Sequence, residues 1–287
     1  MFRSAGRLLG AAGLGTVAVA GSQAVYVRTN FALPPDATGP STGVAAPAPL
    51  TPSVPSSTQK NLVFLGDSLV TGVGCRSREG PVLPRHLAEL MARSLHTPVG
   101  WSAFGETGAD VGMLREKMLP QLKAEVERRK QEGQHVDMVV IMCGLNDMKV
   151  CMLHMQPWLH PHWFRQQLQR LVDEIKETAG ENCAVLLPSV PLERAPRFAN
   201  VWPLSTFIIG AALLWEKQKQ ALAASRAPSE QVAFIAQPEE IHLEHFCEDG
   251  MHPNDTGYEL WAAHILECFL KDRACKSGFF NALQRPS

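Results

Sequence analysis

The chain has 287 residues, 45% of them hydrophobic and 19% charged, so it is long and apolar enough to bury one sizeable core and is not disordered throughout. Its 27 basic and 28 acidic residues leave a formal net charge of −1, and no basic stripe runs along it. That balance argues against nucleic acid, or an anionic membrane surface, as the main partner. The seven cysteines, Cys75, Cys143, Cys151, Cys183, Cys247, Cys268 and Cys275, form no Cys-x-x-Cys pair, which gives a zinc ribbon or thioredoxin-like site no support. An odd count leaves at least one thiol outside any disulfide set. Cys143 and Cys183 fall in or beside apolar runs and read as small buried hydrophobes.

Residues 1–35 carry Arg3, Arg7 and Arg28 and no acid before Asp36. Between the arginines, Leu8 to Val27 is apolar but diluted by glycine, Ser22 and Gln23. Three readings stay open. The basic start, apolar middle and Ala18-Val19-Ala20 fit a secretory signal. The run is also near the length that spans a bilayer, as in an uncleaved signal anchor. Arginines without acids also fit a mitochondrial or plastid presequence. The first two place the protein in the secretory pathway or on a membrane held through this segment; the third places it in an organelle. Residues 36–60, rich in Pro, Ala, Ser and Thr without periodicity, read as a linker. A single domain is expected over 61–275, with a tail at 276–287.

Asn61 to Leu65 is a short apolar run that predicts a buried strand. Leu83, Leu87, Leu90, Met91 and Leu95 then fall at helical spacing. "VGWSAFGETGAD" predicts a strand and a glycine-rich loop, and Leu114, Met118, Leu122 and Val126 a second helix closed by Glu132-Gly133. Val136 to Gly144 is the clearest buried strand. Pro161 to Thr178 is a third helix, with Phe164, Leu168, Leu171, Val172 and Ile175 on one face. "CAVLLPSVP" and Val232 to Gln237 are further strands, separated by a helix whose first half is unusually apolar. A last helix runs from about Asn254 to Lys271. Strands that are apolar throughout and alternate with helices predict a parallel sheet covered on both faces. The expected fold is a flavodoxin-like three-layer α/β/α sandwich on a mostly parallel five-stranded sheet.

Such sheets bind ligands beyond the carboxyl ends of their strands. The loops there carry Gly66-Asp67-Ser68, Gly105-Glu106-Thr107-Gly108 and Gly144-Leu145-Asn146-Asp147, and "EDGMHPND" stands ahead of the last helix. Acyl transfer needs a hydroxyl nucleophile, a base, a group that orients the base, and donors for an oxyanion. Ser68 and His252 supply the first two. Asp249, three residues before His252, can present its carboxylate from the same turn, to hold the imidazole tautomer. The backbone N–H groups of Ser68 and Gly108 and the amide of Asn146 are candidate oxyanion donors.

The blocks "GDSL", a glycine loop, "GLND" and "DGMHP", in this order, resemble the SGNH (GDSL) hydrolase superfamily over about Asn61 to Leu270. The resemblance implies a nucleophile at Ser68, an oxyanion asparagine at Asn146 and the Asp-x-x-His pair at Asp249 and His252. Gly108 matches the oxyanion glycine best by its distance to the following helix, with Gly105 as runner-up. The second block departs from the pattern by lacking the asparagine that many members carry before the glycine. The implied activity is that of a serine esterase acting on a small-molecule or lipid ester through an acyl-serine, with no metal or organic cofactor. The superfamily also contains thioesterases, lysophospholipases, O-acetyl esterases and acyltransferases, and the rival from another class is a non-catalytic, membrane-tethered binding domain.

Other residues have plainer readings. Asp67 reads as a brace for the serine turn and Asp147 as a structural acid. His154, His160 and His162 near Trp158 and Trp163 match no defined metal spacing, and His242 and His245 read as loop histidines. The stretch Phe207 to Trp215 is open to two readings, a buried core face or a lid and acyl-chain wall beside the serine.

Overall fold

The computed structural model describes residues 2–47, 59–153 and 156–272. In chain order the elements are α1 (Phe2–Thr29), β1 (Thr42–Ala45), β2 (Lys60–Gly66), α2 (Ser68–Thr71), α3 (Val82–Leu95), β3 (Val99–Gly105), α4 (Val111–Met113), α5 (Leu119–Gln131), β4 (Met138–Met142), α6 (Leu145–Leu153), α7 (Pro161–Ala179), β5 (Ala184–Pro188), α8 (Leu204–Ala224), β6 (Val232–Ile235) and α9 (Asp255–Lys271). A π-helical turn at Leu114–Met118 joins α4 to α5.

The strands form one sheet in the order β1-β3-β2-β4-β5-β6. The last five of that order, β3 to β6, are mutually parallel, and they are the five runs expected from the sequence. Alternate residues of β2 and β4 face opposite layers. Leu62, Phe64 and Val140 pack with Leu83, Leu87, Tyr258 and Trp261 of α3 and α9. Val63, Leu65, Val139 and Ile141 pack with Leu122 of α5 and Phe164, Leu168 and Leu171 of α7. Both faces are covered, so neither can carry a polar alternate.

A sixth strand corrects the five-strand expectation. Thr42–Ala45, inside the segment read as a linker, pairs antiparallel with Val99 to Ser102 on the open edge of β3. Gly43 fits there because a Cβ would stand 2.8 Å from the Trp101 indole nitrogen. Four small residues give no periodicity to read, but they satisfy the backbone of an edge that would otherwise be open. Two helices were also not foreseen, α1 and α6. Among the described residues no helix is long and apolar enough to cross a membrane. The tail at 276–287 lies outside the described residues, as do 48–58 of the linker.

β2 lies between β3 and β4 and ends on Gly66. A Cβ at Gly66 would sit 2.5 Å from the Met142 carbonyl oxygen and 2.7 Å from Val70 Cγ2. The chain can therefore turn into α2 only against bare backbone. Gly66→Ala is expected to destabilise the fold by about 1–3 kcal/mol, the usual range for overpacking. Urea unfolding checks this, and an unchanged midpoint would contradict the close approach.

Candidate active site

Ser68 opens α2 just beyond β2, with Asp67 as its N-cap. The Asp67 carboxylate accepts the Leu69 N–H at 3.1 Å through Oδ1 and the Asn146 amide at 3.0 Å through Oδ2. This ties the loop after β2 to the loop after β4. Burial pushes the Asp67 carboxyl up, opposed by the Leu69 N–H, by the charges of His252 and Lys219, and by Asn146. The reading of Asp67 as a brace matches these bonds.

His252 comes from the loop between β6 and α9. Its Nε2 lies 2.9 Å from Ser68 Oγ, and its Nδ1 lies 2.6 Å from Asp249 Oδ2. An ionised carboxylate only accepts, so Nδ1 carries the proton and Nε2 is left to accept from the serine hydroxyl. The turn is braced from within. Asp249 Oδ1 accepts the backbone N–H groups of Met251 (2.7 Å) and His252 (2.9 Å) and the Cys247 thiol (3.2 Å). Gly250 bends the turn at φ 68°, and the Cys247 N–H bonds the His252 carbonyl across it at 2.8 Å. Burial raises the Asp249 carboxyl, but the His252 ring and these backbone donors outweigh it and hold the pKa at about 2.

Asn146 stands in the first turn of α6, largely buried. One amide hydrogen goes to Asp67, and its Oδ1 accepts from Lys149 Nζ at 2.8 Å. That fixes the amide plane and leaves a second N–H on Nδ2. The two candidate glycines separate clearly. Gly105 ends β3 opposite Gly66, and a Cβ there would press on Val70 and Thr71 of α2 at 3.1 Å. Gly108 lies in the next turn at φ 90°, where a Cβ would meet nothing within 4 Å. Gly105 thus borders the serine's own helix, and Gly108 faces open space.

Other expected residues fall away from this constellation. His160 caps α7, its Nδ1 accepting the Trp163 N–H, and His242 and His245 lie beside each other in a loop. His154 lies outside the described residues. Among the described residues no group of three or more His, Cys, Asp or Glu could hold a metal ion. Six described cysteines, including Cys247, are free thiols.

Three neighbours escaped the sequence reading. Lys219, fully buried, lies under Gly144 and bonds the Pro188 carbonyl at 2.8 Å and Glu216 at 2.9 Å. Only a Glu-x-x-Lys pair at the end of an apolar run hinted at it. Asp36 accepts the hydroxyls of Thr71 and Thr107, pinning the end of the N-terminal segment to the loops after β2 and β3. Its place in an apparent linker hid that role. Arg197 bonds the Gly250 carbonyl through its backbone N–H at 2.9 Å and the Val27 carbonyl through Nη2 at 2.8 Å.

A serine hydroxyl, an imidazole and a buried carboxylate stand in line at the carboxyl edge of a doubly wound parallel sheet, an arrangement that suits acyl transfer. The chain belongs to the GDSL-like lipase/acylhydrolase family, whose pattern matches residues 64–260. Solved structures share the fold. An acetylxylan esterase, Axe2 from Geobacillus stearothermophilus, is 16% identical with a TM-score of 0.51, the match covering 72% of this chain and 93% of that one. The lipase Lip_vut3 from a goat rumen metagenome is 19% identical with a TM-score of 0.52, covering 72% and 96%. TesA is 16% identical with a TM-score of 0.51, covering 74% and 99%. No curated protein matches in sequence.

Asp147, next to Asn146, is fully enclosed. Its Oδ1 accepts the Val111 N–H at 3.1 Å, and its Oδ2 is buried without a partner. Burial, with Asp110 and Asp67 nearby, raises its pKa to about 7 despite the Val111 bond. An unfolded aspartate ionises near pH 4, at about 3.9. Between those values the folded state holds the extra proton, so this carboxyl's contribution to stability is full below about pH 4 and is lost as pH rises towards about 7. Asp147→Asn removes this slope. Its melting temperature is expected to gain on that of the unsubstituted protein by several degrees from mildly acidic to mildly alkaline pH. A gap that stays constant with pH would rule the assignment out.

Proposed function

We propose that the protein is a serine esterase that hydrolyses carboxylic esters through an acyl-serine intermediate. The observation that carries this reading is the unbroken line from Asp249 Oδ2 through His252 (2.6 Å) to Ser68 Oγ (2.9 Å). As Ser68 Oγ attacks the acyl carbon, His252 Nε2 takes its proton. The imidazolium is stabilised by Asp249, whose low pKa of about 2 keeps it ionised at any working pH. His252 then returns the proton to the leaving alkoxide, and the alcohol departs. Water, activated by the same nitrogen, attacks the acyl-serine and releases the acid. Only protein groups and water take part.

The developing oxyanion needs donors on its own side of the carbonyl. The Ser68 N–H and the second N–H of Asn146 suit this, with the Asp67 bond holding the amide in place. For the third donor, contact with the serine's helix favours Gly105 over Gly108, reversing the order that loop spacing alone suggested. The acyl group remains the open variable. The structurally similar Axe2 is named for acetylxylan and Lip_vut3 is named a lipase, so both short-acyl and lipid esters are reasonable substrates.

Turnover of p-nitrophenyl esters from acetyl to palmitoyl tests the reading. Ser68→Ala should fall to the uncatalysed background, and full retained turnover would overturn it. Asn146→Ala is expected to lower kcat by about 10²–10³-fold, the loss typical of one oxyanion donor. Asp249→Asn is expected to lower it by about 10⁴-fold through the wrong imidazole tautomer. Gly105→Ala should reduce kcat/KM far more than Gly108→Ala when both are compared per folded molecule; the opposite order would return the donor to Gly108.

A further inference from the structure

From Gly15 onward, the side chains of α1 meet the domain along one stripe. Thr16, Ala20, Gln23, Ala24 and Val27 are buried or half-buried at helical spacing. Gln23 locks the helix to the start of α8, its amide donating to the Trp202 carbonyl at 2.7 Å and accepting the Leu204 N–H at 3.2 Å. A helix on the surface of a water-soluble domain turns a charged or polar face outward. This one does not. From Leu8 to Val27 there is no charged residue, and the outward positions include Val17, Val19, Val25 and Tyr26.

The helix beneath it repeats the inversion. Thr206, Phe207, Gly210, Leu213, Leu214 and Lys217 form the exposed stripe of α8, apolar over its middle. Phe207 is 48% exposed, Leu214 49%, and Trp202, just ahead of the helix, 73%. No charge occurs from Val201 to Trp215. Phe207 to Trp215 is therefore only partly a core face: Trp215 is buried while Phe207, Leu213 and Leu214 point to solvent. Two helices locked side by side present apolar side chains where isolated ones would be unremarkable.

The charges flanking this face select what covers it. Arg3 and Arg7 lie before the apolar run and Arg28 after it, with no acid until Asp36. The sequence of α1 contains no carboxylate that could pair with the arginines of a second copy. Anionic headgroups complement them, and the exposed aromatics Trp202 and Tyr26 are the residue types that favour the headgroup level. The near-zero net charge of the whole chain conceals this segregation.

We propose that α1 and the first half of α8 form one docking face for the surface of an anionic bilayer, lying in the interface and not spanning it. Binding is driven by apolar burial, with the arginines adding preference for anionic lipid. The proposal does not depend on the esterase reading, because binding is measured without turnover.

Flotation of the full chain with phosphatidylcholine vesicles, with and without phosphatidylserine, is the test. Co-flotation that strengthens with phosphatidylserine is expected, as is release by alkaline carbonate. The double substitution Phe207→Glu and Leu214→Glu should weaken binding by about tenfold or more, since each removes a large apolar side chain from the contact. The circular dichroism and melting temperature of this variant should match those of the unsubstituted protein, which separates lost docking from lost folding. Should that variant not fold, quenching of tryptophan emission by brominated lipid, diminished in Trp202→Phe, reads the same contact. The proposal is overturned by failure to float, by flotation indifferent to the α8 substitutions, by resistance to carbonate, or by vesicle-free self-association that those substitutions abolish.

Discussion

The bond between His252 Nε2 and Ser68 Oγ joins residues 184 positions apart, and the architecture serves to hold those two loops in register. Ser68 is placed by the central strand β2. His252 is placed by a turn whose other supports come from the serine side. Tyr258 in α9 bonds the Val73 carbonyl at 2.8 Å, and Gly74 approaches so closely that a Cβ would stand 2.6 Å from the Pro253 carbonyl oxygen. Gly74 is therefore needed for the histidine loop that lies on it, whereas Gly72 closes α2 in the left-handed conformation. A side chain at Gly74 would push the His252 loop away from Ser68.

Three buried aspartates around this bond show how hydrogen-bond supply sets charge. Asp249 has its ring partner, two backbone donors and a thiol, and its carboxyl is held at about 2. Asp147, just as enclosed, has a single backbone donor from another loop, and an oxygen with no partner, and it rises to about 7. Asp67 is raised by burial, although a backbone N–H and the Asn146 amide serve it. Desolvation is the largest influence on all three, and only at Asp249 do the donors and the histidine outweigh it. Lys219, buried against Glu216 beneath Gly144, adds a positive charge on the far side of the same loops.

Much of this was legible in the sequence. The five parallel strands are fully buried, so they spell unbroken apolar runs, and their helices carry apolar residues at helical spacing. Ser68, Asn146, Asp249 and His252 were legible because each follows a strand or precedes the last helix in a fixed order. What was not legible depends on partners distant in the chain. Thr42–Ala45 becomes a strand only because β3 offers an open edge, and Gly43 only because Trp101 lies beneath it. The choice between Gly105 and Gly108 turns on which one touches Val70 and Thr71, a contact that spacing along the loop does not encode. Lys219 looks like a solvated helix residue until Pro188 and Glu216 close around it.

The N-terminal segment is where sequence and structure diverge most, and Arg197 shows why the divergence matters for the site. Its backbone N–H holds the Gly250 carbonyl between Asp249 and His252, and its guanidinium holds the Val27 carbonyl at the end of α1 and lies over the Phe31 ring at 5.4 Å. Gly250 must stay bare, since a Cβ would come within 3.1 Å of the Arg197 nitrogen. Farther on, Asp36 clasps Thr71 and Thr107 on the other side of the serine. The segment thus touches the Asp249–His252 turn through Arg197 and α2 through Thr71. It is a structural neighbour of both loops, bonded to Arg197 on one side and to Thr71 and Thr107 on the other.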